Sequence, residues 1–276
     1  MQLDYTKLAS SNLIGGRRLS NLRYADDIVL LASSPEELQE LVNRVCTAGV
    51  EYNLRINVKK TQVMTTDGSV ISITADGAPL TQVSEFTYLG ATITSESSCV
   101  QDIQTRLQKA LDMSGLQKIW KSRTVPLQTK LRLLKTLVWP VATHGCESWT
   151  LRKAEKRKID AFEVKTYRRL LRIPWTAKRT NDSVLQEMGT NRQLLKSVME
   201  RKLRYFGRIM RRPGECLEKT VIQGCIQGSR PRGRPARSWI NDILEATNCT
   251  LGELLRLTED RQAWREMVHS ASNHQH

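Results

Sequence analysis

Two adjacent carboxylates, Asp26 and Asp27, lie between an alternating stretch (Leu22, Arg23, Tyr24) and an apolar run from Ile28 to Ala32. The pattern predicts strand, tight turn, buried strand, with the acids at the bend. Paired carboxylates on a rigid hairpin are what a two-metal site requires, since hard divalent cations take several anionic oxygens and tolerate little ligand freedom. The same pair also suits a solvated turn, because a short Asp side chain bonds back to its own backbone. Polyanion binding is the second candidate chemistry. Residues 151–237 hold 24 Lys and Arg against 8 Asp and Glu, whereas the rest of the chain holds 19 against 20. The whole net charge of +15 therefore belongs to one internal segment. A concentrated basic surface gains free energy on phosphates by releasing counterions; keeping the protein soluble is its alternative use.

The elements that must position these groups can be read in order. A chain of 276 residues, 39% apolar, is long enough for one large or two modest cores. Six scattered cysteines (Cys46, Cys99, Cys146, Cys216, Cys225, Cys249) fit a reducing compartment better than a disulfide framework. No apolar run approaches the roughly 18 residues of a membrane span, and no charged-then-apolar leader is seen, so an intracellular place, nuclear or cytoplasmic, is expected. Ser34, Pro35 and Glu37 are a capped helix start, followed by Leu38, Leu41, Val42, Val45 and Gly49 at helical spacing. Residues 54–61 alternate as a strand leading into a polar bend, and Val70 to Thr74 with the Asp76-Gly77 turn suggest a short hairpin.

From Val100 the period lengthens to that of a helix. Ile103, Leu107, Ala110 and Leu111 mark one helix, and Leu127, Leu131, Leu134 and Val138 a second after Pro126, with Arg106, Lys109, Lys118, Lys121, Lys130, Arg132 and Lys135 on their polar sides. In the basic segment, Ile159, Phe162, Thr166 and Leu170 form one stripe, flanked by Arg168, Arg169 and Arg172. A second helix turns Leu195, Val198, Met199, Leu203, Phe206 and Met210 inward and Arg201, Lys202, Arg204, Arg208, Arg211 and Arg212 outward. Its Pro213-Gly214 end leads toward an extended Pro, Gly and Arg stretch holding Arg230, Arg232 and Arg234. Trp239, Ile243, Leu251, Leu254, Leu255, Trp264 and Met267 suggest a small helical cap, frayed from Ser270. His144 and Cys146 lack further ligands at zinc spacing, so a buried thiol beside a core Trp is the expectation.

Tyr24-Ala25-Asp26-Asp27 resembles the Tyr-x-Asp-Asp palm motif of reverse transcriptases. Asn57-Val58-Lys59-Lys60-Thr61 is similar to the Asn-x-x-Lys-Thr that follows the palm helix in enzymes of non-LTR, LINE-type retrotransposons, with Asn53 where the family favours Gly. Phe86-Thr87-Tyr88-Leu89-Gly90 resembles the family's primer grip, and His144-Gly145-Cys146-Glu147-Ser148-Trp149 a sequence found beyond the thumb. Arg232-Gly233-Arg234-Pro235 is similar to an AT-hook, whose arginines reach along the narrow minor groove of A·T tracts; a linker making only nonspecific phosphate contacts is the other reading.

The resemblance implies RNA-directed DNA synthesis by two-metal chemistry with magnesium. Asp26 and Asp27 would be metal ligands, Lys60 the proton donor to the departing pyrophosphate, and Tyr24 and Phe86, Tyr88, Leu89 and Gly90 would position the primer end. It also implies an earlier metal-binding Asp strand and fingers, for which the residues before the hairpin, with Asp4 alone, leave no room. The expectation is therefore the C-terminal half of such an enzyme, inactive by itself. Its fold would be α+β: a partial palm with an antiparallel sheet and packed helix (1–98), thumb-like helices (99–150), a basic helical nucleic-acid-binding region (151–237) and a cap (238–276). Its partners would be an RNA template with a DNA primer, or duplex DNA, with a separate N-terminal half as a further partner and no membrane. The alternative is a domesticated or degenerate DNA- or RNA-binding module without catalysis.

Overall fold

The fold is taken from a computed structural model that describes residues 13–14, 17–96, 98–112, 116–214, 216–223 and 237–273. The chain divides into two compact units, one of residues 1–98 and 215–233, the other of residues 99–214 and 234–276.

The first unit is built from short ladders around one helix. β1 (Leu13–Ile14) and β2 (Arg17–Arg18) pair antiparallel, as do β3 (Asn21–Tyr24) and β4 (Asp27–Leu30). α1 (Pro35–Glu51) starts where its sequence predicts. The Ser34 hydroxyl accepts from the Glu37 amide at 3.2 Å, and the Glu37 carboxylate turns back to the Ser33 amide and hydroxyl at 2.9 and 2.7 Å. These bonds satisfy amide groups that the first helical turn leaves unpaired. The helix stops with Asn53 left-handed at φ 54°, while the Asn53 and Leu54 amides bond back to the Val50 and Gly49 carbonyls at 3.1 and 2.8 Å, the pattern of a Schellman end. Leu41 and Val42 are buried, and Val42 joins Val63, Ile73 and Ala75 in a small core, with Leu30, Leu38, Ile56 and Val58 packed against it.

β5 (Gln62–Val63) pairs in parallel with β8 (Thr81–Gln82), and β6 (Thr74–Ala75) turns through Asp76 and Gly77 into β7 (Ala78–Pro79). β9 (Glu85–Tyr88) and β10 (Ala91–Thr94) form the last hairpin of this unit, which α9 (Leu217–Gln223) also joins. The short ladders are not joined into a larger sheet, since among the described residues every sheet has two strands. Nor is 54–61 a strand. The Asn57 carbonyl takes the Lys60 and Thr61 amides at 3.0 and 2.9 Å, so the chain turns after Ile56 and no ladder can propagate.

The second unit is helical: α2 (Val100–Leu111), α3 (Gln117–Lys121), α4 (Leu127–Leu133), α5 (Trp139–Ala142), α6 (Lys153–Leu171), α7 (Asn181–Met188), α8 (Leu194–Met210), α10 (Trp239–Thr247), α11 (Leu251–Glu259) and α12 (Arg261–Asn273). α4 runs into α5 through a π-helical turn (Leu134–Val138). Pro140 follows that turn and has no amide to give an α-helical ladder, so a locally widened helix accommodates it. One apolar core takes in Ile103, Val138, Trp149, Phe162, Val198 and Ala246, drawing on all three stretches that the sequence separates after residue 98. The chain stays helical past Ser270 to Asn273 with Ala271 buried, so the expected fraying from Ser270 does not occur there. No described helix is long and apolar enough to cross a membrane.

Candidate functional site

The two acids sit where a hairpin reverses. Tyr24 pairs with Asp27 and Leu22 with Val29, leaving Ala25 and Asp26 as a two-residue turn in which Ala25 takes φ 52°. A non-glycine residue there carries strain of about 1–2 kcal/mol. Asp26 and Asp27 are both exposed, and Tyr24 beside them is 64% exposed. Magnesium is usually held by one or two carboxylates, with waters and substrate phosphates completing its octahedron, so this pair could hold one ion but not the two that two-metal transfer uses. Among the described residues no group of three His, Cys, Asp or Glu could hold a metal ion. The described residues therefore do not by themselves fit a two-metal centre.

The remaining candidates of the first unit occupy turns of their own. Lys60 is exposed on the bend that Asn57 closes, its amide bonded to the Asn57 carbonyl at 3.0 Å and side-chain oxygen at 3.3 Å. Phe86 and Tyr88 are half-buried on β9, facing Ile93 and Ala91 across the ladder, and Leu89 and Gly90 form a two-residue turn with φ 47° and 79°. Positive φ at both turn residues matches the right-handed twist of the flanking strands, which makes the hairpin tight. The β3–β4 and β9–β10 ladders are separate, and among the described residues no hydrogen bond or ion pair ties Asp26 or Asp27 to Lys60.

The arginines of the second unit divide by what they touch. Arg168 donates to the Arg179 carbonyl at 2.5 Å and to Asn181 Oδ1 at 3.2 Å, Arg169 to the Leu111 carbonyl at 3.0 Å, and Arg211 to the Thr258 carbonyl at 3.1 Å. These three close helix ends and loops as well as carrying charge. Arg172, left-handed at the end of α6, is exposed, as are Arg208 and Arg212. Arg230, Arg232 and Arg234 lie outside the described residues.

Three basic groups expected at the surface are internal. Arg106 is buried with its Nε 3.6 Å from Asp102, which also accepts the Trp149 indole at 2.8 Å. Lys130 is buried, its ammonium held by the Trp120 and Ser122 carbonyls at 3.0 and 2.6 Å. Lys202 is fully buried rather than outward-facing. It donates to the Trp149 carbonyl at 2.5 Å, pairs with the equally buried Asp242, and lies 4.7 Å from the centre of the Trp239 ring. Burial lowers its pKa and the Asp242 carboxylate opposes that shift. The signal was available, because 202 falls on the stripe 195, 198, 199, 203, 206; residue type outweighed position in the sequence reading.

The 144–149 stretch is the hub of this polar core. Gly145 is left-handed at φ 68°, Cys146 is fully buried with its thiol pushed up to about 12 by desolvation, and His144 is exposed. Glu147 accepts from Arg201 at 2.9 Å while its carbonyl accepts the Trp239 indole at 2.8 Å. Among the described residues no group of three His, Cys, Asp or Glu gathers to hold a metal, and the hydrogen bonds of Glu147 and Trp149 make the segment a brace. Glu163, also missed from the sequence, is fully buried and accepts from Tyr167 Oη and from the Gln193 and Leu194 amides at 2.6, 2.8 and 3.1 Å. Burial raises its pKa and these three donors oppose the shift.

The reverse transcriptase (RNA-dependent DNA polymerase) family matches residues 7–93, which contain the acidic turn, the Lys60 bend and most of the β9–β10 hairpin. A Caenorhabditis elegans protein described as uncharacterized and transposon-derived is 30% identical over 270 residues, covering 92% of this chain and 97% of that one. No solved structure matches. Residues 7–93, with the acidic hairpin inside them, carry the reverse transcriptase domain, and with a relative aligned along nearly its whole length the chain belongs to a family of transposon-derived proteins.

Proposed function

We propose that this chain is a nucleic-acid-binding part of a LINE-type reverse transcriptase, equivalent to the C-terminal half of such an enzyme. In this reading residues 1–98 are the inner part of a palm, 99–150 are thumb-like helices, 151–237 bind nucleic acid with an AT-hook-like linker, and 238–276 are a helical cap. One observation supports it most: an acidic two-residue turn, a capped helix, the Asn57 to Thr61 bend and a second tight hairpin at Leu89-Gly90 follow one another in the family's order within the matched residues. Asp26 and Asp27 are then two of the carboxylates a magnesium centre requires, Lys60 the proton donor, and Tyr24 and Phe86 to Gly90 the primer-positioning groups. With that carboxylate set incomplete, the chain alone binds template and primer without extending them. The test is primer extension by the purified chain with magnesium, which should yield no product; DNA synthesis abolished by Asp26→Asn would reject this reading.

A second reading, a DNA-binding module without catalysis, is favoured by the separate core of the helical unit, which holds most of the basic segment. It expects salt-dependent duplex binding that survives loss of both aspartates and weakens when Arg232 and Arg234 are replaced by Gln.

A further inference from the structure

The C-terminal helix carries two arginines that lie outside the basic segment in sequence and beside it in space. α12 packs antiparallel on α8. The Trp264 indole donates to the Leu203 carbonyl at 3.2 Å and lies against Gly207, so closely that a Cβ there would stand 2.1 Å from Trp264 Nε1. One helical turn beyond Gly207, Arg211 reaches the Thr258 carbonyl at the end of α11, where α12 begins with Arg261; Arg265 directly follows Trp264. Burial, and then the guanidiniums of Arg261 and Arg265, hold Arg211 below the ordinary guanidinium range. The neighbouring acids keep their charge but bond elsewhere. Asp260 accepts the Gln262 and Ala263 amides at 2.7 and 3.2 Å, and Glu266 accepts from Gln262 Nε2 at 2.9 Å. Glu259 is exposed, and among the described residues Arg208, Arg211, Arg261 and Arg265 form no ion pair.

We infer that Arg211, Arg261 and Arg265, with exposed Arg208 beside them on α8, form a docking patch for the phosphodiester backbone of a nucleic acid. Packing of Trp264 on Gly207 forces the like charges together, and closely spaced phosphates relieve their repulsion while releasing counterions. The patch contacts phosphate, because exposed guanidiniums recognise backbone charge whatever the base sequence. This inference rests on the nucleic-acid-binding reading above and names a surface for it.

The test uses the full chain and three fluorescein-labelled probes of fixed sequence: a 20-base-pair DNA duplex, its RNA–DNA hybrid and the single-stranded RNA. Binding is followed from low to moderate salt for the wild type, for Arg261→Gln with Arg265→Gln, and for a charge-matched control, Arg44→Gln with Arg55→Gln. In the patch variant the slope of log K against log salt on duplex DNA should fall by about 2, with roughly tenfold weaker binding at low salt and a melting temperature that is not lowered. The control should keep the wild-type slope. A wild-type slope in the patch variant, or an equal loss in the control, overturns the patch while leaving the binding reading intact; failure of the wild type to bind any probe overturns both. The slope should fall on all three probes, since the patch takes backbone phosphate, and a fall confined to one probe overturns that assignment.

Discussion

Lys202 shows how much one buried charge can organise. Its ammonium replaces lost water with the Asp242 carboxylate, the Trp149 carbonyl and the face of Trp239. Removing one partner of such a pair leaves the other charged and dry, at a cost of about 3–5 kcal/mol. Lys202→Met should lower unfolding free energy by that amount in urea denaturation; a change below about 1 kcal/mol would mean that Arg237 alone neutralises Asp242. Cys146 offers a cleaner check. With its thiol pushed up to about 12 and fully buried, it should resist iodoacetamide in the native state at pH 8, and labelling before unfolding would contradict the packing around it. Its burial was legible from sequence, as was tolerance of a left-handed backbone at Asn53, whereas Ala25 at φ 52° was not, since alanine carries no signal for that region. Ala25→Gly should relieve that strain and stabilise the hairpin by up to about 1 kcal/mol in the same denaturation assay, the glycine's extra chain entropy taking back part of the gain.

Among elements, helix ends with local chemistry were readable and those completed from a distance were not. Ser34, Pro35 and Glu37 announced the start of α1 because every bond involved spans at most four residues. The start of α8 depends on Glu163, some thirty residues earlier on α6, which no local pattern could reveal. Glu163→Gln replaces one accepting oxygen with an amide that presents hydrogens to existing donors, so α8 should loosen at about 1–3 kcal/mol, measured as faster hydrogen exchange at Gln193 and Leu194 than elsewhere in the helix. Gly207, in the middle of the same helix, lowers helix propensity and is there because Trp264 occupies the space of a Cβ. Gly207→Ala should therefore destabilise the protein despite its better propensity, and a rise in melting temperature would overturn the packing described. Residues 54–61 failed in the opposite sense, an alternating pattern undone by a turn at Asn57.

For the whole molecule, the described strands all lie in the first 98 residues and the remainder is helical, a mixed α+β chain as the sequence implied. The links that tie the helical remainder together, Trp149 to Asp102 and Lys202 to Asp242, join residues about forty to fifty positions apart, a range that no local pattern reports. The described cores are unequal, small around α1 and extensive among the helices. The helical unit also carries a pH dependence. A hydrogen bond from Arg237 holds Glu245 below its ordinary value of 4.5, so its stabilising contribution is present above pH 4.5 and is lost as pH falls through the lower folded-state value. Wild type should melt above Glu245→Gln at pH 6, and the gap should narrow as pH falls below 4.5; a gap independent of pH would remove the ion pair as its cause. The chain leaves this helical unit after Gly214 and returns at Arg234, so Asp242 is made forty residues later than Lys202. At about 5–20 residues per second of synthesis, the nascent lysine waits roughly 2–8 s for its counter-ion, with the part of α8 around Leu203 and Phe206, which Trp239 and Trp264 later cover, still open. The last helices thus decide when, during translation, the body they complete can close.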